Sequence, residues 1–258
     1  MDQERFDRIR NAVLCSDGGK NGIGTYKEKT LHAILKDYYA PDKSLQEIPV
    51  NGYVADIFTG EEIWEIQTGN FNKMRTKLDK LLTFYPITIV YPIPGIKYLL
   101  WIDEETGECS KPRKSTVKGS VYRAFYELYK IKDFLLHPNL TICLPILEIR
   151  EYRLLNGWSR DRKKGSCRYD RVPERILDEV YLNGIEDYYN LIPKRLAEPF
   201  TVKEFGKAVG ERKEVAARAL YLLRYLKVVS RCGKSGREYT YIVNRIKEGE
   251  SQSYENYR

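Results

Sequence analysis

Two acidic residues and one amide residue lie on a short pair of predicted strands. Asp56 and Glu65 flank a turn at Gly60-Glu61, and glycine in the first loop position favours a type II′ hairpin turn. With that loop the two acids lie directly opposite each other, with Cβ atoms about 4.5–5.5 Å apart. A loop of Thr59-Gly60 instead makes them diagonal but keeps them on one face. Gln67 follows on the same face because side chains alternate along a strand.

The opposite face of this hairpin is apolar and is predicted to be core, since it carries Ala55, Ile57, Trp64 and Ile66. On the acidic face, two carboxylates about 4–5 Å apart repel by roughly 4 kcal/mol at an effective dielectric near 20. A hard cation such as Mg²⁺ would remove that cost. The alternative is an ordinary solvated face, which antiparallel hairpins often have. The hairpin alone therefore leaves a metal site and a wet surface both open.

The elements around the hairpin follow from hydrophobic spacing. Apolar residues three and four apart predict helices over residues 26–39 and 70–85. A strand is predicted over residues 46–53, before the hairpin, and a short buried strand over residues 87–91. The predicted order is helix, three strands, helix, strand.

This order, with an Asp on the second strand and Glu-x-Gln on the third, resembles the PD-(D/E)xK, or restriction-endonuclease-like, nuclease superfamily over residues 25–95. The resemblance implies an α/β fold with a mixed sheet flanked by helices, and Mg²⁺- or Mn²⁺-dependent endonuclease cleavage of DNA phosphodiesters. It assigns Asp56 and Glu65 as metal-binding acids. Gln67 stands where the family usually has Lys, Glu28 corresponds to a first-helix acid of many members, and Ala55 replaces the motif's Pro.

Some of these assignments compete with simpler interpretations. Glu28 is also the fourth residue of a capping box opened by Thr25, so it is either a metal ligand or a helix cap. His32, one turn later, is more often a structural residue than a catalyst.

The missing lysine leaves the activity open. Gln67 can orient water but cannot act as a base, because an amide does not titrate usefully. Lys73 or Lys77, on the next helix, could supply the missing charge. Zinc is not predicted, because the two His and five scattered Cys lack metal-ligand spacing.

The C-terminal third is strongly basic. Residues 201–237 contain ten Lys or Arg and three Glu, a balance of +7 in 37 residues. A capping box at Thr201 opens a short helix that Gly210 ends, a second helix follows over residues 211–226, and two strands flank the loop 232–236. This pattern resembles a winged helix-turn-helix domain. The resemblance implies that DNA is a partner and makes five basic residues candidate DNA contacts: Arg212, Lys213, Arg218, Lys234 and Arg237. Protein contact and a solvated basic face are the alternatives.

The composition agrees with a protein that acts on nucleic acid. The 258 residues are 42% hydrophobic and carry a net charge of +8, which favours polyanions as partners. Neither an N-terminal apolar segment nor a run of 18 apolar residues occurs, so a cytoplasmic protein without membrane contact is expected. The unpatterned cysteines do not imply disulfides.

The sequence therefore predicts a nuclease-like domain over residues 1–165, a winged-helix domain over 166–247 and a disordered tail over 248–258. Strands over 97–103 and 141–149, and a helix over 121–136, extend the first domain's sheet. The function expected is metal-dependent DNA cleavage, with the second domain delivering the substrate. The alternative is a non-catalytic DNA-binding regulator or adaptor on a decayed nuclease scaffold. A homodimer is left open.

Overall fold

The computed structural model describes residues 2–16, 30–158 and 164–244. The chain divides into two units, an N-terminal unit of residues 1–184 and a C-terminal unit of residues 185–258. The domain boundary predicted from the sequence lies after residue 165. The boundary lies later because the long strand Lys164–Leu182 pairs along Leu140–Trp158 and belongs to the first unit's sheet. The predicted tail, 248–258, lies outside the described residues.

The N-terminal unit begins with two helices and is built on one large sheet. Its elements are α1 (Gln3–Ser16), α2 (Thr30–Tyr39), β1 (Gln46–Val50), β2 (Tyr53–Phe58), β3 (Ile63–Ile66), α3 (Arg75–Leu81), β4 (Ile87–Val90), β5 (Ile93–Ile102), β6 (Arg113–Lys114), α4 (Val121–Leu128), β7 (Leu140–Trp158) and β8 (Lys164–Leu182). Short 3-10 helices occupy Lys43–Leu45, Phe71–Met74 and Tyr129–Phe134. The predicted helices over 70–85 and 121–136 are therefore each split into a 3-10 and an α segment. The order α2, β1, β2, β3, α3, β4 is the predicted one, whereas α1 was not predicted.

The sheet is mixed and is flanked by helices. β1, β2 and β3 are antiparallel neighbours, and β4 lies parallel to β3. β4 and β5 pair in succession, both parallel, along one edge of β7, while β8 pairs antiparallel along its other edge. The short β6 pairs with β5.

The register of the β2–β3 hairpin confirms the two-residue turn. Ile57 pairs with Trp64 and Phe58 with Ile63, and the Thr59 amide donates to the Glu62 carbonyl at 3.1 Å. Gly60 adopts φ +94°, the left-handed region in which glycine alone is unstrained. Continuing this register by one residue sets Asp56 opposite Glu65.

The strand predicted over residues 46–53 is shorter than expected. Val50 pairs with Tyr53, so Asn51 and Gly52 form a two-residue turn in which both residues have positive φ, 47° and 81°. Asn-Gly is the preferred sequence for such a type I′ turn. β1 and β2 are therefore a second hairpin that shares β2 with the first.

Helices α1 and α2 pack over the apolar face of the hairpin. Ala55, Ile57 and Ile66 are buried there, and Trp64 packs against the same core. The helices contribute buried residues that include Phe6, Leu31, Ile34 and Leu35. The apolar face was therefore predicted correctly. None of the helices in the described parts of the chain is long and apolar enough to cross a bilayer.

The C-terminal unit contains α5 (Ile185–Asn190), β9 (Phe200–Thr201), α6 (Val202–Val209), α7 (Lys213–Tyr225), β10 (Val229–Ser235) and β11 (Glu238–Val243). Its three strands pair in the order β10, β11, β9. The capping box is present, with Thr201 and Glu204 each accepting from the other's backbone amide, and Gly210 ends α6 at φ +69°. The loop predicted at 232–236 is wrong. Ser235 pairs with Glu238, so the hairpin is longer and turns at Gly236-Arg237.

Candidate active site

The two predicted acids face each other across β2 and β3 and are fixed by backbone amides. Asp56 Oδ2 accepts a hydrogen bond from the Ile66 amide at 2.7 Å. The Asp56 amide in turn lies 3.4 Å from Glu65 Oε1, which accepts from it. Each acid is thus bound to the backbone of the strand that carries the other, which fixes both carboxylates on one face of the sheet.

Lys77 of α3 covers this acidic face. Its Nζ donates to Glu65 Oε1, forming an ion pair, and to the Val54 carbonyl at 2.6 Å. The side chains of Lys77 and Glu65 are only 11% and 4% exposed. The interpretation of this face as a wet surface is therefore wrong at Glu65, because α3 packs over it. Lys77 was one of two lysines that the sequence suggested for this position.

The electrostatics of Glu65 show that one lysine does not balance the site. Burial, followed by the neighbouring Asp56 carboxylate, raises the pKa of Glu65 from 4.5 to about 7, although Lys77 acts in the opposite direction. The Lys77 ammonium group therefore offsets only part of the effect of burial and of Asp56 on Glu65. Near neutral pH, Glu65 is accordingly close to half-protonated.

The other predicted site residues differ in how the structure places them. Gln67 follows β3, is half-buried, and donates its backbone amide to the Val90 carbonyl at 2.8 Å. Glu28 lies outside the described residues. His32, expected to be structural, has Nε2 at 3.2 Å from Asp56 Oδ2 and so belongs to the site. Only its position on α2 pointed to this contact, because residues 32 and 56 are far apart in sequence.

The carboxylates suit a cation that needs few protein ligands. Within the described residues, Asp56 Oδ1 and Glu65 Oε2 accept no hydrogen bond. Neither of these oxygens is buried without a hydrogen-bond partner. The described part of the chain contains no group of three or more His, Cys, Asp or Glu arranged to hold a metal ion. Mg²⁺ commonly uses one or two carboxylates and keeps several waters, so this donor set fits it better than zinc.

The five basic residues proposed for DNA contact all lie in the C-terminal unit. Arg212 precedes α7 and Lys213 begins it, and both are exposed, whereas Arg218 is half-buried further along the helix. Lys213 Nζ also pairs with Glu238 at 2.5 Å. On the hairpin, Lys234 lies over the Tyr239 ring and Arg237 is in the turn, and both are exposed.

Comparison with known proteins places most of the N-terminal unit in a family. Residues 29–183 match the family described as Domain of unknown function (DUF8091), and the chain belongs to it. The match ends one residue before the structural boundary after Gly184. A relative from Treponema pallidum (strain Nichols), named "Uncharacterized protein", is 30% identical over 184 residues, which cover 70% of this chain and 69% of the relative. No solved structure matches the chain significantly.

Proposed function

We propose that this protein is a metal-dependent DNA nuclease that hydrolyses phosphodiester bonds as an endonuclease, with Mg²⁺ or Mn²⁺ as cofactor. The observation that carries the proposal is the facing pair of Asp56 and Glu65, held on a rigid strand pair and beside Lys77. The order α2, β1, β2, β3, α3, β4 supports it, because the resemblance to the PD-(D/E)xK superfamily rests on that order.

The charge balance favours a bound divalent cation. The raised pKa of Glu65 means that its ionised form is unfavourable in this site even with Lys77 in contact. A cation at the free oxygens of Asp56 and Glu65 would stabilise both ionised carboxylates and displace the proton from Glu65. When bound, it would polarise the scissile phosphate and lower the pKa of a bound water.

The surrounding residues have distinct tasks in this proposal. Lys77 neutralises part of the charge on Glu65 and supplies the positive charge that the family's lysine would otherwise bring. His32 positions the Asp56 carboxylate through its contact with Oδ2. The side-chain amide of Gln67 orients a water molecule by hydrogen bonding, without taking its proton.

The C-terminal unit supplies DNA binding in this proposal. Its order of helix, strand, two helices and a hairpin resembles a winged-helix domain, which supports this assignment. Exposed cations lie at the start of α7 and on the hairpin. The N-terminal residues of such a second helix contact base edges, while lysines on the wing contact phosphate. Arg212 and Lys213 therefore fit base contact, and Lys234 and Arg237 fit backbone contact.

A plasmid-cleavage assay tests the catalytic proposal. Wild-type protein with Mg²⁺ or Mn²⁺ should nick or cut supercoiled DNA, and Asp56→Asn and Glu65→Gln should abolish cleavage while retaining DNA binding. Asp79→Asn is the matched control, because Asp79 is an exposed acid on α3 with no role in the site. Equal cleavage by Asp56→Asn and wild type would show that the acids are misassigned.

The ion pair between Lys77 and Glu65 gives specific support to a second candidate, a non-catalytic DNA-binding regulator or adaptor. An ammonium group bound to Glu65 partly replaces the charge that a metal would bring. If wild type binds supercoiled, linear, branched and single-stranded DNA but cuts none of them with either metal, this second function is the correct one.

A further inference from the structure

A cavity of about 280 Å³ in the N-terminal unit is lined by four basic side chains. They come from β5, α4 and β8, and are Lys97, Arg123, Arg168 and Arg171. No acidic residue of the described chain lines the cavity, and neither Asp56 nor Glu65 reaches it. The cavity is therefore a separate feature from the candidate active site.

Glu151, an acid that contacts this cluster, is already engaged by two cations. Glu151 Oε2 lies 3.3 Å from Lys97 Nζ, and its Oε1 accepts from Arg153 Nε at 3.0 Å. Burial alone would raise the pKa of the Glu151 carboxyl, but Lys97 and Arg153 together hold it below its ordinary value. One carboxylate is thus shared between two cations, and it offsets the effect of burial on Arg171 only in part.

Arg168 and Arg171 have no ion-pair partner within 4.0 Å among the residues that the structure describes. Burial, and then the like charge of Arg168, lower the pKa of Arg171. Glu151 and Asp170 offset this effect only in part, because the pKa of Arg171 stays lowered although both carboxylates act to raise it. Asp170 Oδ2 is in addition engaged by Thr30 Oγ1, from which it accepts a hydrogen bond at 2.5 Å. An arginine remains charged under these conditions, so a bound anion would balance the positive charge.

The remaining walls make the cavity selective for a small ligand. Tyr91 presents a phenol whose pKa is raised by burial, so it stays protonated and can donate. Gly119 closes another side, where an added Cβ would lie 2.4 Å from the Pro94 carbonyl oxygen. The volume is just below the range of about 300–1,000 Å³ typical of pockets for drug-sized ligands.

We propose that this cavity binds a terminal phosphate monoester through Arg168 and Arg171, with Lys97, Arg123 and the Tyr91 hydroxyl completing the site. The planar fork of an arginine matches two phosphate oxygens at once, and such charge-assisted pairs are the strongest hydrogen bonds in proteins. The phosphate monoester belongs either to a free nucleotide or to the phosphorylated end of a nucleic acid. The site involves none of the residues of the metal proposal and goes beyond it.

Calorimetry on the full chain at low ionic strength tests the cavity. Adenosine 5′-monophosphate and inorganic phosphate should bind, whereas adenosine should not. Arg168→Gln and Arg171→Gln should each weaken binding by about tenfold or more, the cost of one lost charge-assisted hydrogen bond. Arg168 is exposed, so its variant keeps the test valid if the Arg171 variant fails to fold. Arg8→Gln, at an exposed arginine of α1 that does not line the cavity, is the matched control.

Two oligonucleotides identify the source of the phosphate. A preference for a 5′-phosphorylated strand over its 5′-hydroxyl form, lost in Arg168→Gln, would support the site and assign it to nucleic-acid ends. Equal binding of the two strands, with nucleotide binding still lost in Arg168→Gln, would support the site and assign it to small molecules. The proposal is overturned if no phosphate probe binds better than adenosine, or if Arg8→Gln weakens binding as much as Arg168→Gln.

Discussion

Replacing Glu65 with glutamine removes a buried charge while preserving the shape of the side chain. In the folded chain the pKa of Glu65 is raised from 4.5 to about 7, chiefly by burial. The side chain is only 4% exposed, so solvent screens the charge poorly. At about 1.4 kcal/mol for each pKa unit, keeping this carboxyl ionised costs the folded state about 3 kcal/mol.

The sign of the pH dependence follows from where the proton binds. At pH values well below 4.5 the carboxyl is protonated in both the folded and the unfolded chain. Between 4.5 and about 7 the folded chain binds more protons than the unfolded chain, so stability falls as pH rises, and it levels off above about 7. The free energy of unfolding of wild type, minus that of Glu65→Gln, should therefore decrease by about 3 kcal/mol across this range.

Urea unfolding followed by tryptophan fluorescence measures this difference. All three tryptophans, Trp64, Trp101 and Trp158, lie in the N-terminal unit, so the signal reports the unit that carries Glu65. Asp79→Asn, at an exposed carboxyl of α3, should shift stability by no more than about 0.5 kcal/mol at any pH. Parallel pH profiles for wild type and Glu65→Gln would refute the argument that Glu65 titrates near neutrality because of burial and Asp56.

Two further predictions concern Lys77 and the C-terminal unit. Lys77→Met leaves Glu65 buried without its cation, so unfolding free energy at about pH 8 should drop by roughly 3–5 kcal/mol, with a much smaller loss near pH 5, as urea titrations at the two pH values would show. Residues 185–258 should fold alone and bind duplex DNA with steep salt dependence; Lys234→Ala should reduce the salt slope by about one, and a folded fragment without salt-dependent binding would make this unit a protein-contact module.

The local hairpin geometry could be predicted because turn chemistry and side-chain alternation are local rules. Gly60 fixes the turn, and the turn fixes which residues lie opposite each other. The same rule applied to Asn51-Gly52 separates β1 from β2, whereas the predicted strand over residues 46–53 runs through this turn.

The long strand β8 was missed for a different physical reason. Its pairing with β7 contains four register shifts, which interrupt the alternation from which a strand is predicted. It also contains Pro173, a residue that normally argues against a strand. Proline is tolerated because β8 lies on the outside of β7, where an edge strand does not need every amide for pairing. Without β8, the domain boundary was placed too early.

The residues of the candidate site divide in the same way. Asp56 and Glu65 are nine residues apart and share one hairpin, so local rules brought them together. Lys77 could be predicted as one of two lysines that supply the missing charge, because a helix directly follows the hairpin. The contact of His32 with Asp56, and the meeting of Arg168 and Arg171 with Lys97, depend on how distant segments pack, which hydrophobic spacing alone does not specify.

Two residues that line the basic cavity follow shortly after β3 and β4, next to the acidic site on β2 and β3. Glu65 pairs with Ile89, and the cavity is lined by Thr68 and Tyr91, three and two residues further along. At about 3.3 Å per residue, these steps correspond to roughly 7–10 Å along the strands. The N-terminal unit thus has excess negative charge at one position and excess positive charge a short distance away. A phosphate in the cavity and a cation at the carboxylates would each relieve an imbalance that the described residues compensate only in part. A substrate with a terminal phosphate and a neighbouring phosphodiester is the kind of molecule that could satisfy both sites together.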